Sequence, residues 1–97
     1  MNIKIGENGH VPTRGTEYSA GIDLYCTESV VIPRNSNVKV RTEVHVEIPE
    51  GHFGLLCPRS SMGKRGLGLA NTVGIIDSDY RGEIICLIKN FNAFEES

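Results

Sequence analysis

Apolar and polar residues alternate along "NVKVRTEVHVEIPEG", residues 37–51. Val38 and Val40 alternate with Lys39 and Arg41, then Val44, Val46 and Ile48 alternate with His45 and Glu47. A period of two places every second side chain on one face, the signature of a half-buried strand. Pro49-Glu50-Gly51 closes the run as a turn, and "HFGLLC" after it reads as a second strand, so the two predict an antiparallel hairpin. Shorter strands are predicted at 3–5, 22–26, 30–32, 72–76 and 83–89. The last of these is apolar on both faces: Ile84, Cys86 and Ile88 on one, Ile85 and Leu87 on the other. Such a strand is covered twice, and in a short chain the second cover can be another subunit. No stretch carries three turns of amphipathic helix; "RSSMGKRG" holds one short turn at most. Short strands with frequent Gly and Pro punctuation predict an all-β sandwich or barrel.

Size sharpens this picture. The 97 residues make one domain, read as 1–97, with a modest core that association with further copies would help to complete. Ten Lys and Arg stand against twelve Asp and Glu. That near balance argues against a nucleic-acid polymer as partner, which calls for a basic excess, and leaves room for a small phosphate ligand. No apolar run approaches the roughly 18 residues of a membrane span, and "MNIKIGENGH" has no signal-peptide core. The expected location is the cytoplasm or nucleus, not the secreted fraction. Cys26, Cys57 and Cys86 are odd in number and widely spaced, which speaks against a disulfide framework or a zinc site. Each sits in an apolar stretch and reads as a small buried hydrophobe. His45 reads as a strand residue facing water or a subunit interface.

Three stretches can carry chemistry. In "SAGIDLYC", Asp23 falls in an otherwise apolar strand start, where a carboxylate needs a partner or caps a turn. In "CPRSSMGKRGLGLAN", Arg59 offers a planar donor fork suited to phosphate. Ser60 and Ser61 add hydroxyls and N–H groups that can form an anion nest, or else lie in a plain polar loop. Ser61 to Lys64 also matches S-x-x-K, without the companion motifs of that nucleophile class. In "GIIDSDYRGEI", Asp79 and Gly82 suit a hairpin tip for turn reasons alone. Asp77 differs: it directly follows an apolar strand, where rigid backbone can aim a carboxylate as a general base. Tyr80 offers a flat face for a sugar or base.

In this order and spacing the three stretches resemble the trimeric dUTP pyrophosphatase (dUTPase) family. "AGIDL", "PRSSMG" and "GIIDSDYRGEI" look like its first three motifs, and the resemblance covers about residues 15–92. It implies a β-clip jelly roll of short antiparallel strands with no substantial helix, assembled as a homotrimer with active sites between subunits. The reaction implied is dUTP + H2O → dUMP + pyrophosphate. Asp77 would act as general base, and Tyr80 would pack under the deoxyribose and leave no room for a 2′-hydroxyl. Asn71 and backbone near Gly74 would bind the uracil edge. Arg59, Ser60 and Ser61 would hold phosphates, and Asp23 would orient Arg59 or the water and metal shell. Mg2+ would ride on the triphosphate, with no direct protein ligand.

Two departures from the family pattern stand out. Glu43 occupies a position where relatives usually carry glycine. Nothing after Asn92 matches the family's fourth motif or its glycine-rich fifth-motif arm, which closes the site. Without that closure the resemblance implies weaker binding and slower turnover. Alternatives are a non-catalytic nucleotide-binding or regulatory protein on the same scaffold, and the related dCTP deaminase branch, which "DSDYRGEI" fits less well.

Overall fold

The computed structural model describes residues 2–92. Met1 and residues 93–97 lie outside the described residues, so the expected 1–97 domain is seen over that span. The strands are β1 (Asn2–Ile5), β2 (Asn37–Arg41), β3 (Val44–Glu47), β4 (Gly54–Leu56), β5 (Leu67–Leu69), β6 (Gly74–Ile76) and β7 (Ile85–Asn90). One five-residue helix, α1 (Ser60–Lys64), separates β4 from β5. Three antiparallel sheets result: β1-β3, β2-β7-β5 and β4-β6. The architecture is all-β with no substantial helix, as the alternation predicts.

The predicted hairpin between residues 44–48 and "HFGLLC" does not form. Its turn does: His52 N donates to the Pro49 carbonyl at 3.1 Å, and Gly51 takes a positive φ of 85°. The chain that leaves the turn enters a different sheet, with β3 pairing with β1 and β4 with β6. Packing decides this. A Cβ on Gly54 would meet Ile48 Cδ1 at 2.9 Å, so β4 lies face-on against the Ile48 side chain and not edge-on to β3. Residues 22–26 and 30–32 are not strands either. Their bonds are piecemeal: a Thr13–Asp23 bridge in the first and Asn90 Nδ2 donating to the Ile32 carbonyl at 2.9 Å in the second, with Thr27 N between them donating to the Arg41 carbonyl at 3.1 Å. Strand β5 was not predicted. Gly68 at its centre is thin enough for the Phe91 ring to pack against the backbone.

The core is Val44, Val46, Ile48 and Ile84, with Leu24, Leu56 and Ile76 packed around it. The inward face of the period-two pattern therefore holds. Two cysteines depart from expectation: Cys26 and Cys57 are exposed, each in an irregular connection and not in a strand. Cys86 is half-buried in β7, and burial pushes its thiol up, with Cys26 adding to the rise.

Between β2 and β3 the alternation breaks at a corner. Glu43 takes φ 52°, the left-handed region that a side chain disfavours and glycine does not, which is why a glycine suits this position. Around it the bonding is dense. Buried Thr42 donates from Oγ1 to the Ile84 carbonyl at 2.6 Å and accepts from Val44 N at 3.1 Å. Ile84 N donates to the Val44 carbonyl at 2.8 Å, and Glu43 N to Glu83 Oε2 at 2.9 Å. Replacing Thr42 by Val keeps the shape and orphans two buried backbone groups. Thr42→Val is expected to lower unfolding free energy by about 2 kcal/mol. Urea denaturation checks this, and an unchanged midpoint would contradict the role given to the hydroxyl.

Candidate active site

The strand β6 ends at Ile76, and Asp77 follows it directly. The expectation of a hairpin tip is corrected here: β6 pairs with β4, while β7 pairs with β2 and β5. Residues 77–84 therefore form a crossing between two sheets. The first four close as a turn, with Tyr80 N donating to the Asp77 carbonyl at 3.1 Å. Arg81 turns back on the same loop and donates from Nη1 to the carbonyls of Ser78 (2.6 Å) and Tyr80 (3.2 Å). His45 reaches across from β3 and donates from Nδ1 to the Arg81 carbonyl at 2.8 Å. It is a strand residue as read, half-buried, and its role is to tie down this loop.

Tyr80 lies over Gly82. A Cβ there would stand 2.6 Å from Tyr80 Oη, so only glycine lets the ring lie so close to the backbone. The hydroxyl donates to the Glu83 carbonyl at 2.7 Å. The ring stays 44% exposed, free to meet a ligand. On the other side, Asn71 Nδ2 donates to the Val73 carbonyl at 3.0 Å. Thr72 between them takes φ 69°, a strained conformation for a β-branched residue. Gly74 follows, where a Cβ would meet Leu56 Cβ at 3.3 Å. Asn71, Gly74, Asp77 and Tyr80 share one cleft of about 380 Å³. Its floor is apolar, from Leu56, Leu69, Ile76 and Ile84, and Ile75 and Ile85 reach its rim.

The other candidates lie apart. Arg59 is the N-cap residue of α1, and Ser60 and Ser61 form its first turn, where the leading N–H groups have no intrahelical acceptor. All three are exposed. Asp23 is partnered: its Oδ2 lies 3.6 Å from Arg59 Nη1, and its backbone bridges Thr13. None of these four lines the cleft that holds Asp77. The molecule thus presents two groups, a carboxylate–tyrosine cleft and an arginine–serine turn.

Sequence reasoning passed over Glu83, the second carboxylate of the cleft. Its side chain is 14% exposed and accepts from Arg41 Nε at 3.2 Å through both oxygens and from Arg41 Nη2 at 3.0 Å, besides Glu43 N. The Arg41 hydrogen bonds and the Glu43 N–H hold this carboxyl below its ordinary value, against the effect of burial. Arg41 is pushed up by the same hydrogen bonds and charge. The two residues are 42 positions apart, so no local pattern announces the pair.

A family model for dUTPase matches residues 7–95. A deoxyuridine 5'-triphosphate nucleotidohydrolase of Escherichia phage T5 is 41% identical over 100 residues, covering 96% of this chain and 68% of that protein. One of Nocardia farcinica is 46% identical over 82 residues, covering 82% and 50%. The chain spans between 50% and 68% of the length of the curated relatives it matches. Among solved structures, a mutant dUTPase of Staphylococcus bacteriophage 80alpha with dUpNHpp superimposes with a TM-score of 0.88 at 32% identity, covering 99% of this chain and 57% of that one. A mutant dUTPase from phage phi11 of S. aureus, described with a structural Mg(II) ion, gives 0.84 at 34% identity, covering 92% and 58%.

The Glu83 clamp has a pH signature. A carboxyl held below its unfolded value of about 4.5 contributes its full stability above that pH. The contribution is lost as pH falls through the lowered folded value, where Glu83 takes up its proton. Thermal melts from pH 7 to pH 3 are therefore expected to show Glu83→Gln less stable than the parent at neutral pH, with the gap closing below about pH 4.5. A gap of constant size across that range would mean that the charge on Glu83 contributes nothing.

Proposed function

The chain belongs to the dUTPase family, and we propose from that membership and from its cleft that it hydrolyses dUTP to dUMP and pyrophosphate. The observation that carries the reading is the convergence of Asn71, Gly74, Asp77 and Tyr80 on one cleft with an apolar floor. Asn71 and the backbone at Gly74 bind the uracil edge. The Tyr80 ring, held against Gly82, forms a wall under the deoxyribose that leaves no room for a 2′-hydroxyl. Asp77 at the strand end takes a proton from water as it attacks the α-phosphorus. Such attack adds charge to oxygens already anionic, so positioning and cationic donors supply most of the catalysis.

Those donors are Arg59, Ser60 and Ser61, with Asp23 steadying the guanidinium from 3.6 Å. They lie outside the cleft of their own chain, which supports a homotrimer in which one protomer's arginine–serine turn meets its neighbour's cleft. Exposed apolar residues support it too. Leu55 and Ile75, paired across β4 and β6, are each 59% exposed, and Ile85 is 46% exposed. Apolar surface of this kind marks an interface. Among the described residues no three His, Cys, Asp or Glu side chains gather to hold a metal. Mg2+ carried on the substrate triphosphate would neutralise phosphate charge. Among the described residues of the cleft, Glu83 is committed to its ion pair with Arg41, which leaves the carboxylate of Asp77 for water.

A pyrophosphate-release assay with dUTP, dTTP, dCTP and UTP tests the activity. Hydrolysis of dUTP alone is expected. Silence with all four from folded protein favours a non-catalytic nucleotide binder, and ammonia released from dCTP favours the deaminase branch. Asp77→Asn is expected to lose about 10²–10⁴-fold in rate while still binding nucleotide. Parental turnover by that variant would remove Asp77 from the role of base.

A further inference from the structure

Glu83 takes no part in the chemistry just described, yet it joins the cleft to the corner of the fold. Its carboxylate is bound by Arg41 of β2 and by the N–H of Glu43. Its carbonyl receives the Tyr80 hydroxyl at 2.7 Å. The next residue is fixed from both sides, since Ile84 N donates to Val44 and the Ile84 carbonyl accepts from buried Thr42. The peptide that anchors the tip of the Tyr80 ring is therefore tied to two sheets. The loop before it is different: Asp77, Asp79, Tyr80 and Arg81 are all exposed. Apart from the His45 tie at Arg81, its hydrogen bonds among the described residues are internal to the loop.

We propose that Glu83 is a positioning residue for the sugar subsite: by clamping its own backbone to Arg41 and Glu43, it sets the place of the Tyr80 ring and thereby the discrimination between deoxyribo- and ribonucleotides. The inference rests on the reading of the cleft as a dUTP site. A wall that rejects an added hydroxyl by shape alone discriminates by only about 10²-fold. Discrimination of that kind depends on where the wall stands, so a small displacement of the ring is measurable. Arg41 acts through the same clamp, and its effect should not add to that of Glu83.

The test compares the parent with Glu83→Ala, Arg41→Ala, the double variant and Gly82→Ala, each confirmed as folded by its NMR spectrum. Dissociation constants for α,β-imido dUTP and α,β-imido UTP are measured by calorimetry. The ribo-to-deoxy ratio is expected to fall about tenfold in Glu83→Ala and in Arg41→Ala, and no further in the double variant. Gly82→Ala, whose new methyl displaces the ring directly, is expected to lower it at least as much. If Gly82→Ala lowers the ratio and both clamp variants keep it, the positioning role of Glu83 is wrong. If Gly82→Ala also keeps it, or the parent shows no preference, the sugar reading of Tyr80 is wrong instead, and the inference goes with it. A readout without ligand separates the two further. The α-hydrogen of Gly82 that points where a Cβ would stand faces the Cζ–Oη end of the Tyr80 ring and should carry a ring-current shift in the parent. That shift is expected to shrink in Glu83→Ala, and an unmoved resonance overturns the mechanical link.

Discussion

The bonding at the Thr42–Glu43 corner is what the rest of the molecule depends on. Among the described residues none of the three sheets has more than three strands, and a two-stranded ladder is marginal in water by itself. At the corner the chain leaves the sheet of β2, β7 and β5 and enters that of β1 and β3. The backbone there turns through a left-handed residue, and the groups it frees are met by Thr42, Glu83 and Ile84. Val44 and Ile84, on the two sides of the junction, are also core residues. The apolar core and the polar corner are thus one construction, in which hydrogen bonds hold the register that lets Val44 and Ile84 meet.

The proposed site is laid over that junction. The crossing that carries Asp77 and Tyr80 begins at the end of β6 and finishes at Glu83 and Ile84, inside the corner. A loop that must present an exposed carboxylate and an exposed ring cannot be held by burial of those same side chains. It is held by its ends, by His45 from the side and by a glycine that admits the tyrosine close to the backbone. Strain follows the same pattern. The cleft's other wall turns at Thr72, where a β-branched residue adopts a conformation that glycine or asparagine would take more readily. A small buried core and an apolar rim beside the cleft go together, with Val44, Val46, Ile48 and Ile84 inside and Leu55, Ile75 and Ile85 exposed.

Local pattern went far in some places and failed in others for physical reasons. The alternation of Val38 to Ile48 marked inward and outward faces, since a strand's side-chain period is independent of its partner. Partner choice is not local. The turn at Pro49–Gly51 formed as expected, but β4 pairs with β6 in another sheet, with the bare backbone of Gly54 against Ile48. The same limit made Asp79 and Gly82 read as a hairpin tip when they lie in a crossing between sheets. Apolar content alone misplaced Cys26 and Cys57, which lie exposed in irregular connections outside any strand.

By itself the sequence determined the all-β class, the face that points inward, the family and the residue types that chemistry needs, because these follow from periodicity and from short motifs. Only the tertiary structure decided that Asn71, Gly74, Asp77 and Tyr80 share a cleft while Arg59, Ser60 and Ser61 stand outside it. It alone joined Arg41 to Glu83 and gave Glu43 its left-handed backbone. The reason is separation along the chain: an ion pair spanning 42 positions leaves no trace in any window of neighbouring residues, and exists only once two sheets have met.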